Sequence, residues 1–173
     1  MVDKQGAVTF KGEPMTLTGQ AEVKVGDKAP HFELTGPDLK THSLDEYKGK
    51  VLLLTTVPSL DTSVCNTMTQ RFNEEAAKLG DDVEVLVVSN DLPFAQKRWC
   101  NEVGCDNAVC LSDYMDHGFQ DAWGLRIREL GLIARSVSVI DKDGKVVYHE
   151  LVKEVADEPD YEKALEAARN AAG

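Results

Sequence analysis

The sequence has no long apolar run. No stretch approaches the ~20 apolar residues that a transmembrane helix needs. The opening Met1-Val2-Asp3-Lys4-Gln5-Gly6 also lacks the basic patch and apolar segment of a secretory signal. The expected location is therefore the cytoplasm, without membrane contact. Positive charge is scarce too. Nineteen Lys and Arg against thirty Asp and Glu leave a net charge of -11. Such a surface repels a phosphate backbone, so no nucleic-acid partner is expected. Cysteine is limited to Cys65, Cys100, Cys105 and Cys110, too few for a disulfide scaffold in a chain of this length, and a reducing compartment would keep structural pairs open. That leaves core residues, metal ligands or redox groups. Internal repeats, low-complexity tracts and composition shifts are also missing.

What is present is an ordinary globular composition, 42% hydrophobic and 28% charged. It fits one domain over residues 1–173, with residues 1–18 as an N-terminal hairpin extension. In that hairpin Ala7–Lys11 and Met15–Thr18 flank a turn at Gly12-Glu13-Pro14. Gly19–Pro30 reads as loop. A short strand follows at Phe32–Leu34, then Val51–Val57, whose unbroken apolar and β-branched run predicts a buried strand. Cys65, Met68, Phe72, Ala76 and Leu79 recur at spacings of three and four with Gly80 as a stop, which predicts a helix. Val83–Ser89 is the next buried strand, and Asp91-Leu92-Pro93 opens a helix over Phe94–Val103. A short strand at Ala108–Leu111 and a short helix at His117–Trp123 come next. Ser136–Ile140 and Lys145–His149 flank the hairpin signal Asp141-Lys142-Asp143-Gly144, and Tyr161–Ala172 is a terminal helix. The order implies an α/β protein with a central mixed sheet flanked by helices on both faces, and a thioredoxin-like fold satisfies it.

Cys65 lies where the buried strand hands over to the helix. A cysteine in the first helical turn has unpaired backbone N–H groups and the positive end of the helix dipole beside it, and both favour thiolate over thiol. Thr62, three residues earlier, can turn its hydroxyl toward the same turn, and Pro58 would shield the sulfur from water. The plainer alternatives stay open on these grounds. Thr62 or Asp61 could be a helix cap only, and Cys65 a small hydrophobe on the Met68 and Phe72 face. For Arg135, ahead of Ser136–Ile140, the plain reading is a solvent-facing salt bridge. Spacings of five among the later cysteines argue against a zinc site, His31, His42, His117 and His149 form no cluster with them, and no cofactor is expected.

The segment VPSLDTSVC contains the Pro-x-x-x-Thr-x-x-Cys signature of peroxiredoxins, and it resembles the thiol peroxidase subfamily, the atypical two-cysteine type. Phe72-Asn73-Glu74, Ser89–Cys100, Ala134-Arg135-Ser136 and Glu158–Glu162 match at the corresponding places, so the resemblance spans nearly the whole chain. It implies a thiol-dependent peroxidase acting on hydrogen peroxide and small alkyl hydroperoxides. By that resemblance Cys65 is the peroxidatic cysteine, with Thr62, Pro58, the Cys65 N–H and Arg135 around the peroxide. Cys100 is the resolving cysteine, thioredoxin the reductant, and the assembly a homodimer. Cys100 is 35 residues beyond Cys65 (100 − 65), so the resemblance implies a Cys65–Cys100 disulfide that needs both helices to unwind or shift. Cys105 and Cys110 depart from the pattern and read as packing residues, with Cys105 a minor competitor for the resolving role. Trp123–Leu132 is shorter than the family's loop before the arginine strand. Two other functions remain to be separated from the peroxidase. One is a general thiol-disulfide oxidoreductase, which would carry a cysteine where Thr62 stands. The other is a redox sensor without turnover.

Overall fold

The computed structural model describes residues 1–173. Its centre is a seven-stranded mixed sheet in the order β11-β10-β5-β6-β7-β3-β4. The strands are β3 (Glu33–Thr35), β4 (Thr41–Ser43), β5 (Val51–Thr56), β6 (Val83–Ser89), β7 (Ala108–Ser112), β10 (Ser136–Ile140) and β11 (Val146–Leu151). All six residues of β5 are buried, as the continuous apolar run requires for a strand covered on both faces. It pairs in parallel with β6 and antiparallel with β10. The helices are α1 (Ser63–Leu79), α2 (Pro93–Val103), α3 (Gly118–Ala122) and α4 (Tyr161–Ala172). α1 and α2 are the crossovers between the parallel strands β5, β6 and β7.

Alternation along the strands divides the core in two. Val51 and Leu53 of β5, with Val85 and Val87 of β6, pack with Cys65, Met68 and Phe72 of α1, Trp99 of α2 and Ala164, Leu165 and Ala168 of α4. Leu52, Leu54, Leu86 and Val88 face the other way, onto Phe119, Trp123, Ile127 and Val8. Each fully buried Leu or Phe in these layers contributes about 2 kcal/mol. Expected helix cover on both faces is realised unevenly. Three long helices cover one face, and on the other the short α3 shares the task with a second, four-stranded sheet.

That second sheet joins β1 (Val2–Phe10), β2 (Glu13–Gly19), β8 (Arg126–Ile127) and β9 (Leu132–Ile133) in that order. The hairpin is longer than its sequence pattern implies, and its turn lies one step earlier. Phe10 pairs with Glu13, so the loop is Lys11-Gly12, with φ of 51° and 83°. Positive φ at both positions is the geometry that matches strand twist in a two-residue hairpin, and Pro14 falls inside β2. The Trp123–Leu132 stretch, read as a shortened loop, carries β8 and part of β9. These strands are two residues each, below what periodicity can reveal. The hairpin is also stitched to the C-terminal part of the chain. Thr9 N donates to Lys153 O (2.7 Å), and Val155 N donates to Thr9 O (2.8 Å).

The two sheets meet α3 where Gly19 and Gly124 nearly touch. Gly124 has φ of +66°, and a Cβ on it would collide with the Ala21 carbonyl oxygen. Gly124→Ala should therefore destabilise by about 3 kcal/mol and lower Tm by on the order of 10 °C, a shift that thermal unfolding by circular dichroism would detect.

Candidate active site

Thr62 is the N-cap of α1. Its backbone is extended (φ −84°, ψ 147°), and its hydroxyl oxygen accepts the Cys65 N–H at 3.3 Å. The same hydroxyl donates to Ser59 O at 3.2 Å. Both donors assigned to the peroxide are thus engaged with each other and with the loop in this form. The Cys65 side chain is free of disulfide and fully buried, with 0% exposure, on the face it shares with Met68 and Phe72. Pro58 is buried in the preceding loop.

The loop from Pro58 to Thr62 is held by Asp91, two residues past the end of β6. One Asp91 carboxylate oxygen accepts from Ser59 Oγ (2.8 Å), and the other accepts from Leu60 N and Ser89 Oγ, both at 2.8 Å. Asp91 also stands two residues before α2, so the same carboxylate links the Cys65 loop to the start of the Cys100 helix. Sequence reasoning used Asp91 only as a helix opener.

Arg135 is 1% exposed. Its Nε donates to Val155 O at 2.9 Å, one guanidinium nitrogen lies 3.6 Å from Met68 Sδ, and none of the salt bridges of the chain includes it. The exposed salt bridge that position alone suggested is therefore ruled out. A buried guanidinium without a carboxylate is costly unless something else carries the opposite charge. Met68 is three residues after Cys65, on the same helical face. The charge thus rests against α1 one turn from the cysteine.

Cys100 lies in the last turn of α2, half-buried, and is joined to Cys105 in a disulfide. The expected Cys65–Cys100 pairing is not the one present. The cause is local backbone. Gly104 takes the left-handed conformation (φ 72°, ψ 48°), and Gly104 N and Cys105 N both donate to Cys100 O, at 2.9 and 3.2 Å. The Gly104 bond is that of an αL cap and the Cys105 bond is the outer 6→1 bond of a Schellman closure, which brings the side chains of its two end positions together. Here those positions hold Cys100 and Cys105, with Cα atoms 5.0 Å apart. The signal was readable as Cys-x-x-x-Gly-Cys, and treating Cys105 as a packing residue missed it. Asn73 of α1 fixes the loop that follows. Its amide donates to Gly104 O (3.3 Å), and its carbonyl accepts Asn107 N–H (2.9 Å).

Cys110, in β7, places Sγ 3.5 Å from Cys100 Sγ. The sulfurs of Cys100, Cys105 and Cys110 all lie within 4.8 Å of one another, a convergence that the argument from spacing did not foresee. Two of them share a disulfide, which offers no thiolate to a metal. Burial, and secondarily the Asp91 charge, pushes the Cys110 thiol up to about 12. Since Cys100 carries no proton when bonded, Cys110 must be the S–H donor in their contact.

Two clefts lie away from these groups. One of about 280 Å³ is lined by Lys28, Leu44 and Asp141–Gly144, and one of about 530 Å³ lies under the hairpin beside Leu17, Trp123 and His149. A surface cleft of about 360 Å³ does border the first turn of α1, between Ser63, Val64 and Thr67 and the Ala156-Asp157-Glu158 loop. No helix is long and apolar enough to cross a membrane.

The Redoxin family matches residues 24–165. A thiol peroxidase from Halalkalibacterium halodurans is 56% identical over 165 residues, covering 95% of this chain and 98% of the relative. This chain belongs to the thiol peroxidase family. A Bacillus subtilis thiol peroxidase is 55% identical over 94% of the chain and 96% of its own length. The crystal structure of a peroxiredoxin-like protein from Aquifex aeolicus superposes with a TM-score of 0.89 at 41% identity, covering 97% and 99% of the two chains. The chain is thus a thiol-dependent peroxidase of the peroxiredoxin type with the thioredoxin-like fold.

In this thiol peroxidase the raised Cys110 thiol has a measurable consequence. At pH 8 almost none of it is thiolate. In the folded protein with the Cys100–Cys105 disulfide intact, Cys110 should react only slowly with iodoacetamide, with labelling rising when urea unfolds the chain. Because the native thiol titrates above the unfolded one, the stability this group contributes is complete below pH 9.0 and declines as pH climbs toward 12. Peptide mapping of alkylated samples reads the first effect, and denaturation midpoints of wild type and Cys110→Ala read the second.

Proposed function

We propose that Cys65 is the peroxidatic cysteine and that this thiol peroxidase reduces hydrogen peroxide and small alkyl hydroperoxides. The Cys65 thiolate attacks one peroxide oxygen, the O–O bond breaks, and water or an alcohol leaves after protonation. The product is a Cys65 sulfenic acid. Cys100 then attacks that sulfur, forming a Cys65–Cys100 disulfide with loss of water. Thioredoxin is the proposed reductant, the cytoplasm the proposed location and a homodimer the proposed assembly.

The observation that carries this reading is the Arg135 guanidinium, buried without a carboxylate and resting on Met68 one turn from Cys65. A thiolate at Cys65 supplies the missing negative charge, and a departing peroxide oxygen supplies it again in the transition state. Thr62 and the Cys65 N–H are hydrogen-bonded to each other at rest. Substrate must exchange that bond for its own, so entry follows opening of the first turn of α1, which borders the cleft at Ser63, Val64 and Thr67.

Two substitutions test the assignment. Cys65→Ser should reduce peroxide consumption to the uncatalysed level in a stopped-flow assay; wild-type turnover by that variant overturns it. Arg135→Met should slow Cys65 oxidation on the order of a hundredfold. Its stability should fall by no more than about 1 kcal/mol, the worth of the lost hydrogen bond to Val155 O. A purely structural arginine would show the opposite pattern, with a large loss of stability and a normal rate.

A further inference from the structure

We infer that the Cys100–Cys105 disulfide is the end product of a three-thiol relay, and that it, not a bond to Cys65, is what a dithiol reductant meets. The inference rests on the reading of Cys65 and Cys100 given above. In the first step the Cys65–Cys100 disulfide forms as described. In the second, the Cys105 thiolate attacks Cys100 Sγ, the Cys65–Cys100 bond breaks, and Cys65 leaves as thiolate. Two protein electrons thus remain withdrawn, now from the Cys100–Cys105 pair. A dithiol protein then attacks that disulfide, passes through a mixed disulfide, and departs as its own disulfide, leaving Cys100 and Cys105 as thiols.

Geometry separates the two disulfides. Bonding Cys65 to Cys100 joins a fully buried residue in the first turn of α1 to the last turn of a different helix, and the α1 cap must open for it. Bonding Cys100 to Cys105 needs no such movement. The left-handed Gly104 and the two N–H donations to Cys100 O already bring positions 100 and 105 together, and Asn73 holds the loop on both sides of Cys105. Attack by Cys105 is therefore intramolecular and pre-aligned. Cys110 also lies against Cys100, with its sulfur 3.5 Å away, yet its thiol is buried and its ionisation is suppressed, so it is a poor nucleophile.

Exposure points the same way. Cys105 is half-buried between exposed Gly104 and Asp106, with Asn107 also exposed, whereas Cys65 is closed off entirely. Passing oxidation to Cys105 frees Cys65 to return under its cap while the pair awaiting reduction stays at the surface.

The test is to oxidise the reduced protein with one equivalent of hydrogen peroxide, quench at increasing times by alkylation, and map disulfides by non-reducing mass spectrometry. Wild type should show Cys65–Cys100 first, then Cys100–Cys105 with Cys65 alkylated. Cys105→Ser should stop at Cys65–Cys100 and lose most steady-state turnover with a dithiol protein reductant. Cys65–Cys100 as the final wild-type linkage, or wild-type turnover by Cys105→Ser, overturns the relay while leaving Cys65 and Cys100 as the reacting pair. Formation of Cys100–Cys105 in Cys65→Ser as fast as in wild type also overturns it, since the disulfide would then arise by direct oxidation. Failure of the underlying reading looks different: Cys65→Ser would still consume peroxide at the wild-type rate.

Discussion

The start of α1 is held by a single hydroxyl that accepts the Cys65 N–H and donates to Ser59 O. This cap fixes where the helix begins and so puts Cys65 in its first turn, on the face that packs against β5 and β6. It also engages, in hydrogen bonds within the chain, the two donors proposed for a bound peroxide. A helix terminus normally leaves its first N–H groups unsatisfied. Here the structure satisfies one of them with the Thr62 side chain, so under the proposed mechanism helix integrity and substrate binding compete for the same hydrogen bond.

Around that cap the chain gathers groups from distant segments. Asp91 ties the Cys65 loop to the entrance of α2, Asn73 ties α1 to the loop after α2, and Arg135 rests on Met68 from β10's leading edge. The two cysteine helices are therefore linked at both ends through polar side chains. Packing positions the backbone, while these few hydrogen bonds join the Cys65 loop and α1 to both ends of the Cys100 helix.

The central strands and the long helices were legible because each carries a pattern long enough to register. Val51–Thr56 is continuously apolar, and Cys65, Met68, Phe72 and Ala76 repeat at helical spacing. Strands β4, β8 and β9 were not, since two or three residues define no period and their pairing depends on tertiary neighbours. Arg135 illustrates a different limit. Its residue type implies exposure, and nothing local shows that β10 would carry it inside without a carboxylate. Cys105 could have been read: a glycine one residue before it, and Cys100 five before it, define a helix closure that brings both side chains together.

The N-terminal hairpin reads from sequence as an extension of the single domain, and in the structure Thr9 exchanges hydrogen bonds with Lys153 and Val155. The Val155 carbonyl in turn accepts from Arg135 Nε. Residues near the beginning of the chain are thus mechanically in series with a charge that belongs to its last third. Anything that pulls on β1, whether a fused domain or a partner gripping that edge, loads the strut that aims the guanidinium.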